Sequence, residues 1–275
     1  VRDIWPESIA AVGALKNRTL LRLLEWLEIR MYSAAQQIIT VGEGYKLKLL
    51  EKNVPEEKIR VIPNGIDPEV FQPTQSDKQI KQKYKLEGKF VCSCIGTIGM
   101  ACGLETVLET AKELKKQNNK KIVFMLIGDG AEKEKLQQQA ATENLDNVIF
   151  TGRVDKELIP PYLSVSDACF IHLKKAELLK TVTPSKIFEA MAMSKPIILG
   201  VEGFAAELLH NAKAGLCIEP ENPNQLLNAV KELSHNSALC NTLGRNGREF
   251  VIKKHNRKRL ADEYLALINY ANSGA

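Results

Sequence analysis

The sequence predicts an α/β protein built on a doubly wound parallel sheet. Two observations carry that reading. From about Asp77 onward, apolar runs of four to seven residues alternate with stretches of helical periodicity. Strands covered by helices on both faces read as near-continuous apolar runs, as these do. In addition, glycine-containing turns follow several of the runs, at Gly96, Gly128 and Gly152. Doubly wound sheets bind ligands beyond the C-terminal ends of their strands, which is where those turns fall.

The elements follow in order. Residues 1–17 hold Arg2-Asp3-Ile4-Trp5-Pro6-Glu7-Ser8 and a Gly-containing turn. Leu20, Leu23, Leu24, Leu27 and Met31 recur at three and four, which predicts a helix over about 19–35. A short buried strand is expected at 37–41, a helix at 44–52, a helical turn at 54–58 and a strand at 59–62. Pro63-Asn64-Gly65-Ile66-Asp67 is a turn by composition, and the stretch from Pro68 to Pro73 is irregular, so a domain boundary is placed near residue 67. Beyond it, strands are expected at 89–95, 121–127, 147–151, 168–173, 196–199 and 215–218. Helices are expected at 77–85, 103–117, 131–143, 155–164, 185–193, 203–212, 223–235 and 237–251. A last helix, 257–271, carries Leu260, Tyr264, Leu267 and Ile268 as a docking stripe.

Composition narrows the function classes. An apolar content of 44% with 26% charged residues is ordinary for a folded domain. A net charge of +5 suits anionic ligands or an anionic membrane surface and is too small to argue for nucleic acid. None of the six cysteines forms a Cys-x-x-Cys pair, so buried free thiols in a reducing cytoplasm are expected. The four histidines are scattered without ligand spacing, and no metal site is inferred. No run approaches the ~20 apolar residues of a membrane span. The chain opens on Val1, consistent with a fragment or a processed product. The absence of Gly-x-Ser-x-Gly and His-Glu-x-x-His leaves hydrolase and metalloprotease readings unsupported.

One stretch concentrates the chemistry: Thr183-Pro184-Ser185-Lys186-Ile187-Phe188-Glu189-Ala190-Met191-Ala192. Pro184 suits a first helical turn, and Thr183 or Ser185 can cap it. Lys186 beside a helix start offers an anion site, and Glu189, three residues on, lies on the same face to accept from sugar hydroxyls. The pieces suit a nucleoside diphosphate, with phosphate at the helix start and ribose on Glu189. The plainer alternative is a solvated Lys–Glu pair. Gly96-Thr97-Ile98-Gly99 follows a strand and opens a helix, so its backbone can approach a pyrophosphate; the alternative is a tight turn with no ligand. The spacing is not the nicotinamide-type Gly-x-Gly-x-x-Gly. Gly128-Asp129-Gly130 lies near the nucleotide or is a turn with Asp129 as helix cap. After Gly152, the backbone at Arg153 and Val154 can read a nucleobase edge, or is a plain turn. The basic run 253–259 faces anionic lipid or is a solvated helix start.

Taken as an ordered set, these stretches resemble retaining glycosyltransferases of the GT-B fold, family 4, group 1, and within it bacterial fucosaminyltransferase-like enzymes. Arg2–Ser8, Ile62–Asp67 with Phe71, Gly96–Gly99, Phe150-Thr151-Gly152, Pro184–Ala192, and Ala214-Gly215-Leu216 with Glu219-Pro220 carry the resemblance. It implies that residues 1–67 end an N-terminal, acceptor-side domain, that 68–250 form the donor-binding Rossmann-like domain, and that 251–275 cross back. It implies a sugar, of N-acetylated hexosamine type, moved from a UDP-sugar to a lipid-linked or polysaccharide-precursor acceptor without a metal cofactor. The expected place is the cytoplasm, with peripheral contact at the inner membrane face. Lys186 and Glu189 are the expected catalytic residues. Gly96, Thr97, Gly99, Gly128, Gly152, Arg153, Val154, Thr183, Pro184, Ser185, Lys186 and Glu189 are the expected donor contacts. Two positions depart from the family pattern. Thr181 stands where the family has its first Glu, and Thr97 and Cys102 stand where many members have cations on the diphosphate. Two rival readings follow: a nucleotide-sugar-binding subunit without catalysis, and a GT-B epimerase acting on UDP-sugars.

Overall fold

The computed structural model describes residues 1–273 other than 12, 14 and 16; the early turn expected within 1–17 falls partly outside the described residues. The strands are β1 Ile38–Thr40, β2 Ile59–Val61, β3 Phe90–Ile95, β4 Ile122–Ile127, β5 Val148–Gly152, β6 Ala168–His172, β7 Ile197–Gly200 and β8 Gly215–Cys217. The helices are α1 Glu7–Ala11, α2 Arg18–Ala34, α3 Glu43–Glu51, α4 Lys78–Tyr84, α5 Glu105–Lys116, α6 Lys133–Thr142, α7 Ile159–Ser164, α8 Lys186–Ala192, α9 Phe204–Ala212, α10 Pro223–His235, α11 Ser237–Lys254 and α12 Arg257–Ser273. Three of the elements had no counterpart in the sequence pattern: α1, and 3₁₀ segments at Met100–Cys102 and Glu177–Thr181. All three are too short to show a period.

β3 to β8 form one parallel sheet in the order β5-β4-β3-β6-β7-β8. Alternation within β4 explains how both faces are covered. Phe124 and Leu126 join the core under α5 and α10, while Val123, Met125 and Ile127 join the opposite core with Tyr162 of α7. Asn222 caps α10 by accepting from the Gln225 N–H, with Pro223 in its first turn. That helix then lays Leu226, Val230 and Leu233 on the same core as Leu108 and Leu114 of α5. The strand order reverses between β3 and β6, and the crevice at that switch point is where such sheets hold ligands.

The N-terminal segment is slighter. β1 and β2 pair in parallel, with Ile38, Leu49, Val54 and Ile59 as their buried cluster. A crossover ties the two parts together: Ile66 N–H donates to His255 O at 2.8 Å, Arg257 N–H donates to Ile66 O at 2.9 Å, and His255 Nδ1 lies 3.1 Å from Asn64 O. The basic run 253–259 occupies this crossover. Lys258 pairs with Glu69 at 2.9 Å, Arg259 with Glu263 at 3.2 Å, and Lys254 lies over the Phe250 ring.

The docking stripe on α12 needs correction. Leu260 is buried at the crossover, but Tyr264 and Ile268 are exposed. Leu260 packs on the Gly65 backbone and Leu267 is half-buried beside Val61 and Ile62, so the stripe docks in part. Cys92, Cys94 and Cys169 are buried free thiols, whereas Cys217 is exposed. No helix among the described residues is long and apolar enough to cross a membrane.

Candidate functional site

The C-terminal ends of β3, β5 and the start of α8 converge on one cleft of about 370 Å³. Ile95, Gly96, Thr97, Arg153, Val154, Ser185, Lys186 and Glu189 line it, together with Asp155, Lys156 and Ile159. The last three open the helix expected over 155–164 and were not picked out as site residues, because nothing in that stretch shows which of its side chains face the cleft. A larger hollow, about 580 Å³, lies elsewhere, between Tyr84, Lys115 and Asn147. Those residues flank the N-terminal ends of β4 and β5, away from the switch point.

Lys186 reaches across the first glycine turn. A Cβ at Gly96 would overlap Lys186 Cε and come within 2.8 Å of Nζ, so only glycine lets the ammonium lie there. Gly96 also has φ +115°, a conformation open to glycine. Glu189 follows on the same face of α8. Burial raises its carboxyl above the usual range, against the opposing pull of Lys186, Lys156 and Arg257. Arg257 comes from the C-terminal crossover, so that crossover bears electrostatically on the site.

The first glycine turn rests on the second. Ile98 N–H donates to Asp129 O at 2.9 Å, Gly96 N–H donates to Ile127 O at 2.8 Å, and a Cβ at Gly128 would collide with Gly96 O. Gly128 thus forms the floor under Gly96, and its N–H donates to Gly152 O at 3.0 Å. Asp129 does not cap α6. It accepts from Gly130 N–H at 2.8 Å and pairs with Lys133 at 3.0 Å. Gly99 opens the 3₁₀ turn Met100–Cys102 and accepts there from Cys102 N–H at 2.9 Å.

The start of α8 differs from expectation in one respect. Ser185 sits at the N-cap but makes no side-chain cap bond, and neither it nor Thr183 satisfies the first turn. Instead, Ile187 and Phe188 N–H groups bond back to Pro184 O and Ser185 O, both at 3.1 Å. Pro184 lines a small inner pocket with Lys186, Gly96 and Thr97. Thr181 lies at the contact with the N-terminal segment: its hydroxyl donates to Leu178 O at 2.7 Å, and its backbone leaves no room for a side chain at Gly44 of α3. Among the described residues, no group of three or more His, Cys, Asp and Glu is placed to hold a metal ion.

A six-stranded, doubly wound parallel sheet with a cleft at the C-terminal ends of its strands fits the C-terminal, Rossmann-like domain of the GT-B fold. The chain belongs to the glycosyl transferases group 1 family, which it matches over residues 75–250, and it matches Glycosyltransferase Family 4 over residues 10–70. Among its relatives, the uncharacterized glycosyltransferase MJ1069 of Methanocaldococcus jannaschii is 24% identical, over 85% of this chain and 58% of that one. The putative colanic acid biosynthesis glycosyl transferase WcaI of Escherichia coli is 25% identical, over 80% of this chain and 54% of its own length. The crystal structure of Anabaena Alr3699/HepE in complex with UDP superposes with a TM-score of 0.80 at 19% identity, covering 98% of this chain and 70% of that one. The chain spans about half the length of the curated relatives it matches.

Proposed function

We propose that this chain is the donor-binding part of a retaining glycosyltransferase that moves a sugar, of N-acetylated hexosamine type, from a UDP-sugar to a lipid-linked or polysaccharide-precursor acceptor. The observation that carries the reading is the meeting of Gly96, Thr97, Arg153, Val154, Ser185, Lys186 and Glu189 in one cleft. The solved neighbour bound to UDP supports a uridine donor. WcaI, named as a putative colanic acid biosynthesis glycosyl transferase, supports a role in polysaccharide biosynthesis.

In this reading the nucleobase lies against Arg153 and Val154, the ribose hydroxyls donate to Glu189, and the diphosphate lies between the Gly96–Gly99 turn and Lys186. Negative charge builds on the leaving diphosphate as the glycosidic bond breaks. Lys186, held over Gly96 before the reaction begins, meets that charge without reorganisation. Lys186 then stands where many members of the family place cations on the first turn, which here carries Thr97 and Cys102. Lys186 and the N–H groups of that turn take the place of a metal cofactor in this reading.

The test is a calorimetric titration of the chain with UDP, GDP and NAD. Saturable UDP binding that Glu189→Ala abolishes is the expected result; no binding of UDP by the parent chain sinks the reading. In a transfer assay with the complete reading frame, Lys186→Ala should lower turnover by about 10²–10³ with a smaller effect on donor affinity. Unchanged turnover removes Lys186 from its role. A second reading, a nucleotide-sugar-binding subunit without transfer, draws on Thr181, whose hydroxyl is bonded internally where the family has a carboxylate. Donor binding without transfer by the complete frame would favour it.

A further inference from the structure

His172 ends β6 at the switch point of the sheet, directly across from the turn that leaves β3. It is 5% exposed, and both ring nitrogens are engaged. Nδ1 lies 2.6 Å from Cys102 O, at the end of the first glycine turn. Nε2 lies 2.8 Å from the backbone N of Glu221, in the loop before α10. A carbonyl only accepts and an amide only donates. The ring is therefore neutral, with its proton on Nδ1: it donates to Cys102 O and accepts from Glu221 N–H.

The surroundings lock the ring in place. A Cβ at Gly200 would collide with its Cδ2, and one at Gly103 would come within 2.9 Å of its Cε1. Phe170 lies 5.2 Å away, ring centre to ring centre. The same strand end holds the glycine turn a second time, through Lys174 N–H to Ala101 O at 2.8 Å. It also holds the loop before α10, through Lys175 N–H to Glu221 Oε2 and the Lys175–Glu219 pair, both at 2.8 Å. His172 lines the small inner pocket with Gly96, Thr97, Pro184 and Lys186.

We propose that His172 is a positioning residue of the donor site: its neutral imidazole clamps the diphosphate-facing turn to the Glu219–Asn222 loop, and protonation at Nε2 opens the clamp. The assignment rests on the donor reading above. Protonation turns Nε2 from acceptor to donor and sets it against the Glu221 N–H, so that bond is lost while the Cys102 bond persists. The charged groups facing the ring are Glu105 from α5, Glu221 from the loop, Lys174 beside Gly103, and Lys186 across the inner pocket. Burial lowers the His172 pKa, outweighing the opposite pulls of the Cys102 bond, Glu221 and Glu105. The neutral clamp is therefore complete above the ordinary histidine range, around 6.5, and is lost as pH falls through the lowered value of the folded protein.

The test measures binding of UDP-glucose, whose esterified diphosphate does not titrate in this range, from about pH 8 to about pH 5. His172→Asn keeps a donor near the Nδ1 position and removes the acceptor; His172→Gln places an amide oxygen near Nε2. Glu189 titrates in parent and variants alike, so the informative quantity is the ratio of their affinities. The parent should bind about five- to thirty-fold more tightly than His172→Asn at pH 8, and the ratio should shrink as the pH falls toward about 5. His172→Gln, which keeps an acceptor that cannot titrate, should lose less at pH 8 and overtake the parent at acid pH. A ratio that stays constant with pH overturns the assignment alone, since a merely structural loss does not titrate. No UDP-glucose binding by the parent at any pH overturns the donor reading and this assignment together. If the variants fail to fold, the parent suffices: the Glu221 amide nitrogen resonance should follow the His172 Nε2 titration while Nδ1 stays protonated. A Glu221 amide that ignores that titration overturns the clamp.

Discussion

Two helices of this chain, α2 and α5, show similar apolar spacing and meet opposite fates. In α5, Val107, Leu108, Ala111 and Leu114 are all at 0% exposure, pressed between the sheet and α10. In α2, Leu23, Trp26 and Met31 are 53%, 51% and 72% exposed. The described residue that α2 buries is Glu28. It is held by Lys52, which also pairs with Glu7 at 3.0 Å, and by the Tyr32 hydroxyl, which donates to it at 2.5 Å. The six-stranded part is stabilised by apolar burial on both faces of a sheet. The segment before Asn64 is held by a small apolar cluster and one buried ionic group, and it meets the rest of the chain at the crossover and at Thr181 against Gly44. A helical period shows which side of a helix is apolar; it does not show that anything within this chain covers that side.

This contrast is open to test by substitution. The largest effect is expected at Phe124, fully buried in β4, a strand paired on both sides: Phe124→Ala should lower the free energy of unfolding by about 3–5 kcal/mol in a urea titration. A loss below about 1.5 kcal/mol would mean that the sheet is not the main source of stability. An intermediate effect is expected at the floor of the cleft. Gly128 has φ +144°, and a Cβ there meets Gly96 O. Gly128→Ala should cost about 1–3 kcal/mol and weaken UDP binding by moving the first turn. Wild-type affinity in a destabilised Gly128→Ala protein would separate the floor from the site. The smallest effect is expected on α2: Met31→Gln should change stability by no more than about 0.5 kcal/mol by thermal unfolding. A larger loss would show that this face is covered in solution, and would bring the two helices closer than their exposure suggests.

Much of the fold could be read from the sequence, because parallel strands buried on both faces leave apolar runs that stand out from helical periods. Each of the six strands of the main sheet falls within about a residue of its expected place. The cleft was partly legible. Gly96, Thr97, Arg153, Val154, Ser185, Lys186 and Glu189 do come together, and their signals were local: glycine after a strand, a cation and a carboxylate on one helical face. Gly128 was legible as a turn but not as a floor, since its partner is the backbone of Gly96, 32 positions earlier. The side-chain cap expected at Thr183 or Ser185 is replaced by backbone bonds. His172 left no mark beyond an apolar strand ending in a ring.

What the sequence determined alone is therefore the class of the fold, the order of its elements and the residue types at the ends of its strands. Those follow from periodicity and from turn chemistry, which act over a few residues. Only the tertiary structure decided the strand order β5-β4-β3-β6-β7-β8 and, with it, which strand ends face one another. That order sets Gly96 beside Lys186 and places His172 between Cys102 and Glu221, while the C-terminal crossover brings Arg257 to bear on Glu189. Such pairings depend on which faces bury the most apolar area together, a sum over the whole sheet that no local stretch contains.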